Sequence, residues 1–169
     1  MKLNIEFILN LSNFPRKYLC YNFCMSNRIW DPEDKYKAAV IKEYSHWVVE
    51  VSFRQHTFGC FIIFAKRDIE KISELKSEEL IELKDVMSEI ENVLKTIPEF
   101  NPDRFNYLQM GNALHHLHFH LIPRYETQRN FDGKEWNDEA FGHPPVWSKT
   151  EVSRDLVIKI KETIQKYLK

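Results

Sequence analysis

The chain has 169 residues, 43% hydrophobic and 29% charged, with a formal net charge of −1 at pH 7. That length and balance predict one soluble globular domain with a real core, and the near-zero charge removes any global attraction to a nucleic-acid surface. No apolar run reaches membrane-spanning length, and four glycines leave little for a Gly-rich phosphate loop.

Residues 1–37 carry aromatics, Cys20, Cys24 and a turn-like Asp31-Pro-Glu-Asp34, which predicts a loose extension with one or two short elements. Glu6 interrupts the apolar start and no small-residue cleavage site follows, so no signal peptide is expected. Three cysteines in a chain rich in core formers predict free thiols and a reducing, cytoplasmic setting. A core is expected at 45–125. Residues 47–53 and 58–64 are β-rich and joined by a polar turn at 54–57, which reads as an antiparallel hairpin. Ser77 is placed to cap a helix, with Glu78 and Glu79 in the first turn where the helix dipole favours them. Leu80, Leu83, Val86, Met87, Ile90, Val93 and Leu94 recur at helical spacing, and Pro98 sets an end near Thr96. A strand over 105–110, a turn at Gly111-Asn112 and a second strand to Ile122 follow. Hairpin, helix, hairpin is an α+β order: an antiparallel sheet with a long helix packed on it. Residues 126–150 are polar, with Gly, Pro and two tryptophans, and predict an ordered excursion. Residues 151–168 place Val152, Leu156, Ile160, Ile164 and Leu168 on one stripe of a terminal helix. All of this is expected to form one domain over 1–169.

His116, His118 and His120 occupy alternate positions, with Leu117, Phe119 and Leu121 between them. On a strand the three imidazoles share one face and the apolar side chains enter the core on the other. Packing alone gives no reason for three such rings, because each would need its own buried partner. Two chemistries fit. Alternating imidazoles can chelate zinc or nickel. A neutral imidazole is also a competent nucleophile at phosphorus, provided its second nitrogen holds a proton against an acceptor. The middle ring, His118, has neighbours on both sides and is the best-placed nucleophile. From the triplet alone the two readings stand even. His115 faces the opposite way and is left out.

The His-x-His-x-His pattern followed by Leu121 and Ile122 resembles the signature of the histidine-triad (HIT) superfamily. Gly111, Pro123 and Arg124, with the flank Asn106-Tyr-Leu-Gln-Met-Gly-Asn112, are similar to the branch that acts on nucleotides and dinucleoside polyphosphates, and they favour the nucleophile over the metal. The resemblance spans roughly residues 45–147. It implies a HIT-like α+β fold and a homodimer. It further implies hydrolysis at the α-phosphate of a dinucleoside polyphosphate or related conjugate through a nucleotidyl-His118, flanked by His116 and His120. The alternatives it leaves are a phosphorylase or nucleotidyl transferase, and a nucleotide-binding regulatory module with little turnover. A metal-binding protein stands further off. No partner nucleic acid or membrane is expected.

The same resemblance suggests phosphate or leaving-group contacts for Asn112 and Asn106, with Gln109 as a third amide. Gly-Asn also favours a plain turn at Asn112. Arg124 can bind phosphate or an acidic partner, and Arg54 and His56 on the hairpin turn are secondary candidates. Where relatives place a ribose-binding Asp or Asn, the ungapped match is Ser52, with Glu50 two residues before it. Cys60 stands where many relatives have a histidine, and Asp68 where many end a Pro-Lys-x-His run. Some relatives hold a structural zinc, but Cys20-x-x-x-Cys24 has the wrong spacing and Asp68 replaces a ligand, so no zinc or other cofactor is expected. Trp136, Phe141 and Trp147 either fasten the excursion to the core or offer a ring for a base. Trp147, after Pro144-Pro145-Val146, is the one assigned to stacking.

Overall fold

The computed structural model describes residues 35–168. Five antiparallel strands form one sheet: β1 (Val40–Glu43), β2 (Trp47–Val51), β3 (Phe61–Ala65), β4 (Arg104–Leu108) and β5 (His118–Arg124), in the order β1-β2-β3-β5-β4. The connections are a short helix α1 (Lys35–Ala39) before β1 and a long helix α2 (Ser77–Thr96) between β3 and β4. A two-stranded hairpin, β6 (Arg129–Phe131) and β7 (Lys134–Trp136), follows the sheet, and α3 (Arg154–Gln165) closes the chain. This is the α+β arrangement expected from the sequence.

Alternation along the strands divides the sheet into two faces. One face presents Trp47, Val49, Val51, Phe61, Ile63, Ala65, Phe119 and Leu121 to Leu83, Val86, Ile90, Val93 and Leu94 of α2 and to Val157, Ile160 and Ile164 of α3, all in one buried cluster. The other face follows from the register. His118 lies opposite Phe64, which lies opposite Val48; His120 lies opposite Ile62 on one side and Leu108 on the other; Ile62 lies opposite Glu50.

Helix α2 ends at Thr96, as Pro98 requires, but it begins differently. Ser77 is its first helical residue and Lys76 the cap. The Glu79 carboxylate accepts the Lys76 N–H (2.8 Å) and takes Arg67 through Nε and Nη2, both at 2.7 Å. The Glu79 carbonyl accepts the Trp47 indole N–H at 2.8 Å, which fixes the helix start on the sheet. Helix α3 is shorter than its apolar stripe, because the Ser153 hydroxyl caps it by accepting the Leu156 N–H.

The β2–β3 connection runs over 52–60 rather than 54–57. The Gln55 amide plugs its mouth, donating to the Ser52 and Cys60 carbonyls and accepting the Cys60 N–H. Phe58 stacks on Phe100 at 4.4 Å. Gly59, at φ +76°, passes so close that a Cβ there would lie 2.7 Å from the Phe100 ring. The β6–β7 hairpin was not expected; its turn is Asp132-Gly133, both at positive φ, the geometry of a two-residue hairpin.

Candidate active site

His118 opens β5 and His116 lies just before it, and backbone bonds carry the ladder one residue further, to Leu117 between them. Ala65 N–H donates to the Leu117 carbonyl, and Leu117 N–H donates to the Ile69 carbonyl at 2.7 Å. The three rings therefore keep to one face although only two belong to the strand proper. His116 and His118 are buried and His120 is half-buried.

The hydrogen bonds set the tautomers. His118 Nδ1 donates to the His116 carbonyl at 2.7 Å, since a carbonyl can only accept. A neutral His118 then carries its lone pair on Nε2, the chemistry a phosphorus nucleophile needs. His116 Nε2 donates to the Ala65 carbonyl at 2.6 Å, and its Nδ1 lies 3.9 Å from Asp68. The rings of His118 and His120 meet edge to face at 5.1 Å, and Phe64 packs against His118 at 5.5 Å.

A fourth imidazole joins the row from the 52–60 loop. His56 lies 6.3 Å from His120, centre to centre. Trp147 closes this end, 4.0 Å from His56 and 5.1 Å from His120, edge to face with both. His56 Nδ1 accepts the Ser148 N–H at 2.9 Å, so its proton sits on Nε2. Burial, with Arg54 nearby, pushes His56 down to about 4. The segment 143–152 thus runs as a strap over the His120 end, held at its far side by Val152 N–H on the Phe53 carbonyl (2.8 Å). Trp147 comes to the triad, but its partners here are histidines. The sequence marked His56 as a secondary binding candidate on the hairpin turn, but nothing in its spacing points at the triad.

Of the two partners the sequence offered Arg124, a phosphate and an acidic group, the structure shows the acidic one. Its guanidinium pairs with Asp138 through Nε (2.6 Å) and Nη2 (3.0 Å) and donates to Asn106 Oδ1, the Ala140 carbonyl and the His143 carbonyl. The ion pair itself is buried, with the Arg124 and Asp138 side chains 4% and 2% exposed. Arg124 clamps the strap to the end of β5, and Asn106 is part of that clamp. Cys60 is also not on an open phosphate pocket. It is 1% exposed, its thiol donates to the Thr57 carbonyl at 3.3 Å, and burial pushes the thiol up. The Ser52 hydroxyl is turned into its own loop, donating to the Arg54 carbonyl and accepting the Arg54 N–H. Glu50 is buried on the triad face. Asn112 is exposed and Gln109 half-buried, in the loop that precedes His116. Trp136 packs on Phe58 beneath the hairpin, Phe141 lines a groove along β4, and Arg54 is exposed. Cys20 and Cys24 lie outside the described residues. Among the described residues, no group of three or more His, Cys, Asp or Glu side chains is gathered as for a metal ion.

Three alternate imidazoles along a central strand and the residues leading into it, with the middle ring held by the backbone of the first, define a histidine-triad site. The chain belongs to the HIT domain family, whose sequence model matches residues 34–127. Solved structures agree on the fold. A histidine triad protein from Sinorhizobium meliloti is 20% identical, with a TM-score of 0.58 over 78% of this chain and 92% of that one. A Hit-like protein involved in cell-cycle regulation from Bartonella henselae is 18% identical, with a TM-score of 0.57 over 77% and 86%. Plasmodium falciparum diadenosine triphosphate hydrolase is 14% identical, with a TM-score of 0.59 over 89% and 94%. At such identities the likeness is one of fold. No curated protein matches the chain.

Proposed function

We propose that the chain is a nucleotide hydrolase that cleaves at the α-phosphate of a dinucleoside polyphosphate or related nucleotide conjugate through a covalent intermediate on His118. The observation that carries this reading is the His118 Nδ1–H bond to the His116 carbonyl, which leaves the lone pair on Nε2. Family membership and the diadenosine triphosphate hydrolase among its structural neighbours support the substrate class.

In the first step Nε2 bonds to the α-phosphorus while the bond from phosphorus to the leaving oxygen breaks, and that oxygen takes the electron pair. The ring becomes cationic, and the Nδ1–H bond to the carbonyl strengthens as charge develops. In the second step water attacks the same phosphorus, the P–N bond breaks, its electron pair returns to Nε2, and one proton is released. The edges of His116 and His120 flank the phosphoryl oxygens, where charge stabilisation matters most.

The test is His118→Ala. Turnover should fall by about four orders of magnitude, as when a covalent nucleophile is removed, while thermal stability and nucleotide binding change little. Rapid quenching without acid should trap a nucleotide adduct on His118 in the parent protein. Activity within tenfold of the parent would refute the assignment. Turnover is expected to persist in the presence of chelators; loss of activity together with stoichiometric bound zinc would restore the metal reading.

A further inference from the structure

The histidine row has unlike ends. At His120 the strap, His56 and Trp147 close it. At His116 it opens into a cavity of about 450 Å³, lined among others by Lys71, Ile72, Gln109, Met110 and His115. The volume falls within the range of small-molecule sites, about 300–1,000 Å³.

Two apolar side chains in this cavity are unusually bare: Ile72 is 46% exposed and Met110 is 40% exposed. They come from different segments, the turn after β3 and the loop before His116. A flat apolar group entering here would remove both from water. Lys71 and His115 add donors suited to phosphate, Glu70 an acceptor suited to a ribose hydroxyl, and Gln109 an amide that can both give and accept. The Ile72 wall is preformed. The Glu74 carboxylate accepts the Glu70 and Lys71 N–H groups at 3.0 and 2.9 Å, and Arg67 donates to the Glu74 carbonyl at 2.6 Å. The bond from Leu117 N–H to the Ile69 carbonyl ties this wall directly to the triad segment.

We propose that this cavity binds the nucleoside of the leaving half of a dinucleoside polyphosphate. The inference rests on the reading that His118 reacts with the α-phosphate of the other half. The site would then recognise both ends of its substrate, and a conjugate with a small leaving group would use only part of it.

The experiment measures equilibrium binding of two probes, AMP and a methylene-bridged diadenosine tetraphosphate that cannot be cleaved, to the parent and to Ile72→Ala/Met110→Ala. Both positions are well exposed, so the double variant should melt with the parent. The parent should bind the dinucleoside analogue more tightly than AMP. The variant should lose about tenfold in affinity for the analogue and less than twofold for AMP. Equal affinities of the parent for the two probes, an unchanged affinity of the variant for the analogue, or a parallel loss for both probes would each overturn the proposal. Because binding is read without turnover, a parent that binds both probes as expected but forms no His118 adduct would refute the hydrolase reading and leave the cavity as a second-nucleoside site only.

Discussion

Arg124 and Cys60 show how burial decides what a side chain can do. Arg124 is surrounded by Asp138, Asn106 and two carbonyls, so removing either charge strands the other in a dry site. Arg124→Gln or Asp138→Asn should each lower stability by about 3–5 kcal/mol, read from urea unfolding, without selectively weakening phosphate binding. The Cys60 thiol, buried and shifted upward, should resist alkylation in the folded protein and react only after denaturation. Fast native labelling of Cys60 would contradict its placement. Sequence alone could place neither residue. The partner of Arg124 lies fourteen positions on, in a segment without periodicity, and a resemblance that aligns Cys60 with a histidine carries no information about how a neutral thiol repacks. The triad, by contrast, was fully legible, because period-2 spacing on a strand determines a shared face whatever surrounds it.

His56 makes a pH-dependent prediction at the same scale. In the unfolded chain it takes a proton near 6.5, in the native protein only near 4. The unfolded state therefore binds more protons between those values, and the stability from the strap contact, complete above 6.5, declines as pH falls toward 4. A protonated Nδ1 can no longer accept the Ser148 N–H. Trp147 emission, isolated by comparison with Trp147→Phe, should change as pH passes through about 4, and His56→Asn, which keeps an acceptor without the titration, should abolish the change.

Among the elements, α2 was read almost to the residue because its apolar repeat and Pro98 act locally. Its start was misread by one position, since a carboxylate from inside the first turn does the capping that Ser77 was expected to do. That carboxylate, Glu79, is drawn down to about 2, chiefly by its bonds to Arg67. Its contribution to stability is complete above the ordinary carboxylate value and is lost as pH falls from about 4.5 toward 2. Arg67→Met should therefore raise the midpoint of acid unfolding followed by circular dichroism. The β6–β7 hairpin had a readable signal in Asp132-Gly133, obscured by strands of only three residues. Gly133 sits at φ +73° with open space where a side chain would go. Gly133→Ala should cost about 1 kcal/mol through backbone conformation alone, and a larger loss in thermal unfolding would mean that the hairpin makes contacts not apparent around this residue.

At the scale of the whole described fold, the sheet order puts β5 between β3 and β4, so the reactive strand is internal and braced on both sides. The sequence foretold the hairpin–helix–hairpin order, which follows from patterns within each element. The resemblance brought Trp147 toward the site, but the strap's hold on His56 was not foretold, because it depends on contacts between residues more than ninety positions apart, such as Ser148 with His56. Among the described residues β4 pairs only with β5, and we propose that two copies meet along its other edge in the homodimer implied by the resemblance. Sedimentation equilibrium should then give twice the chain mass at micromolar concentration, and a monomer throughout would dismiss it.

The strap is fastened at its two ends, by the Arg124 clamp around 138–143 and by Val152 on the Phe53 carbonyl, and held between them by the Ser148 N–H on His56. A chain pinned at both ends cannot swing like a door. It can only bow outward, and the size of the bow is set by the few residues between the pins. Amide exchange should accordingly be fast at Val146, Trp147 and Lys149 and slow at Tyr125, Ser148 and Val152. Whatever leaves past Trp147 must pass beneath that arc, whereas the His116 end requires no such movement.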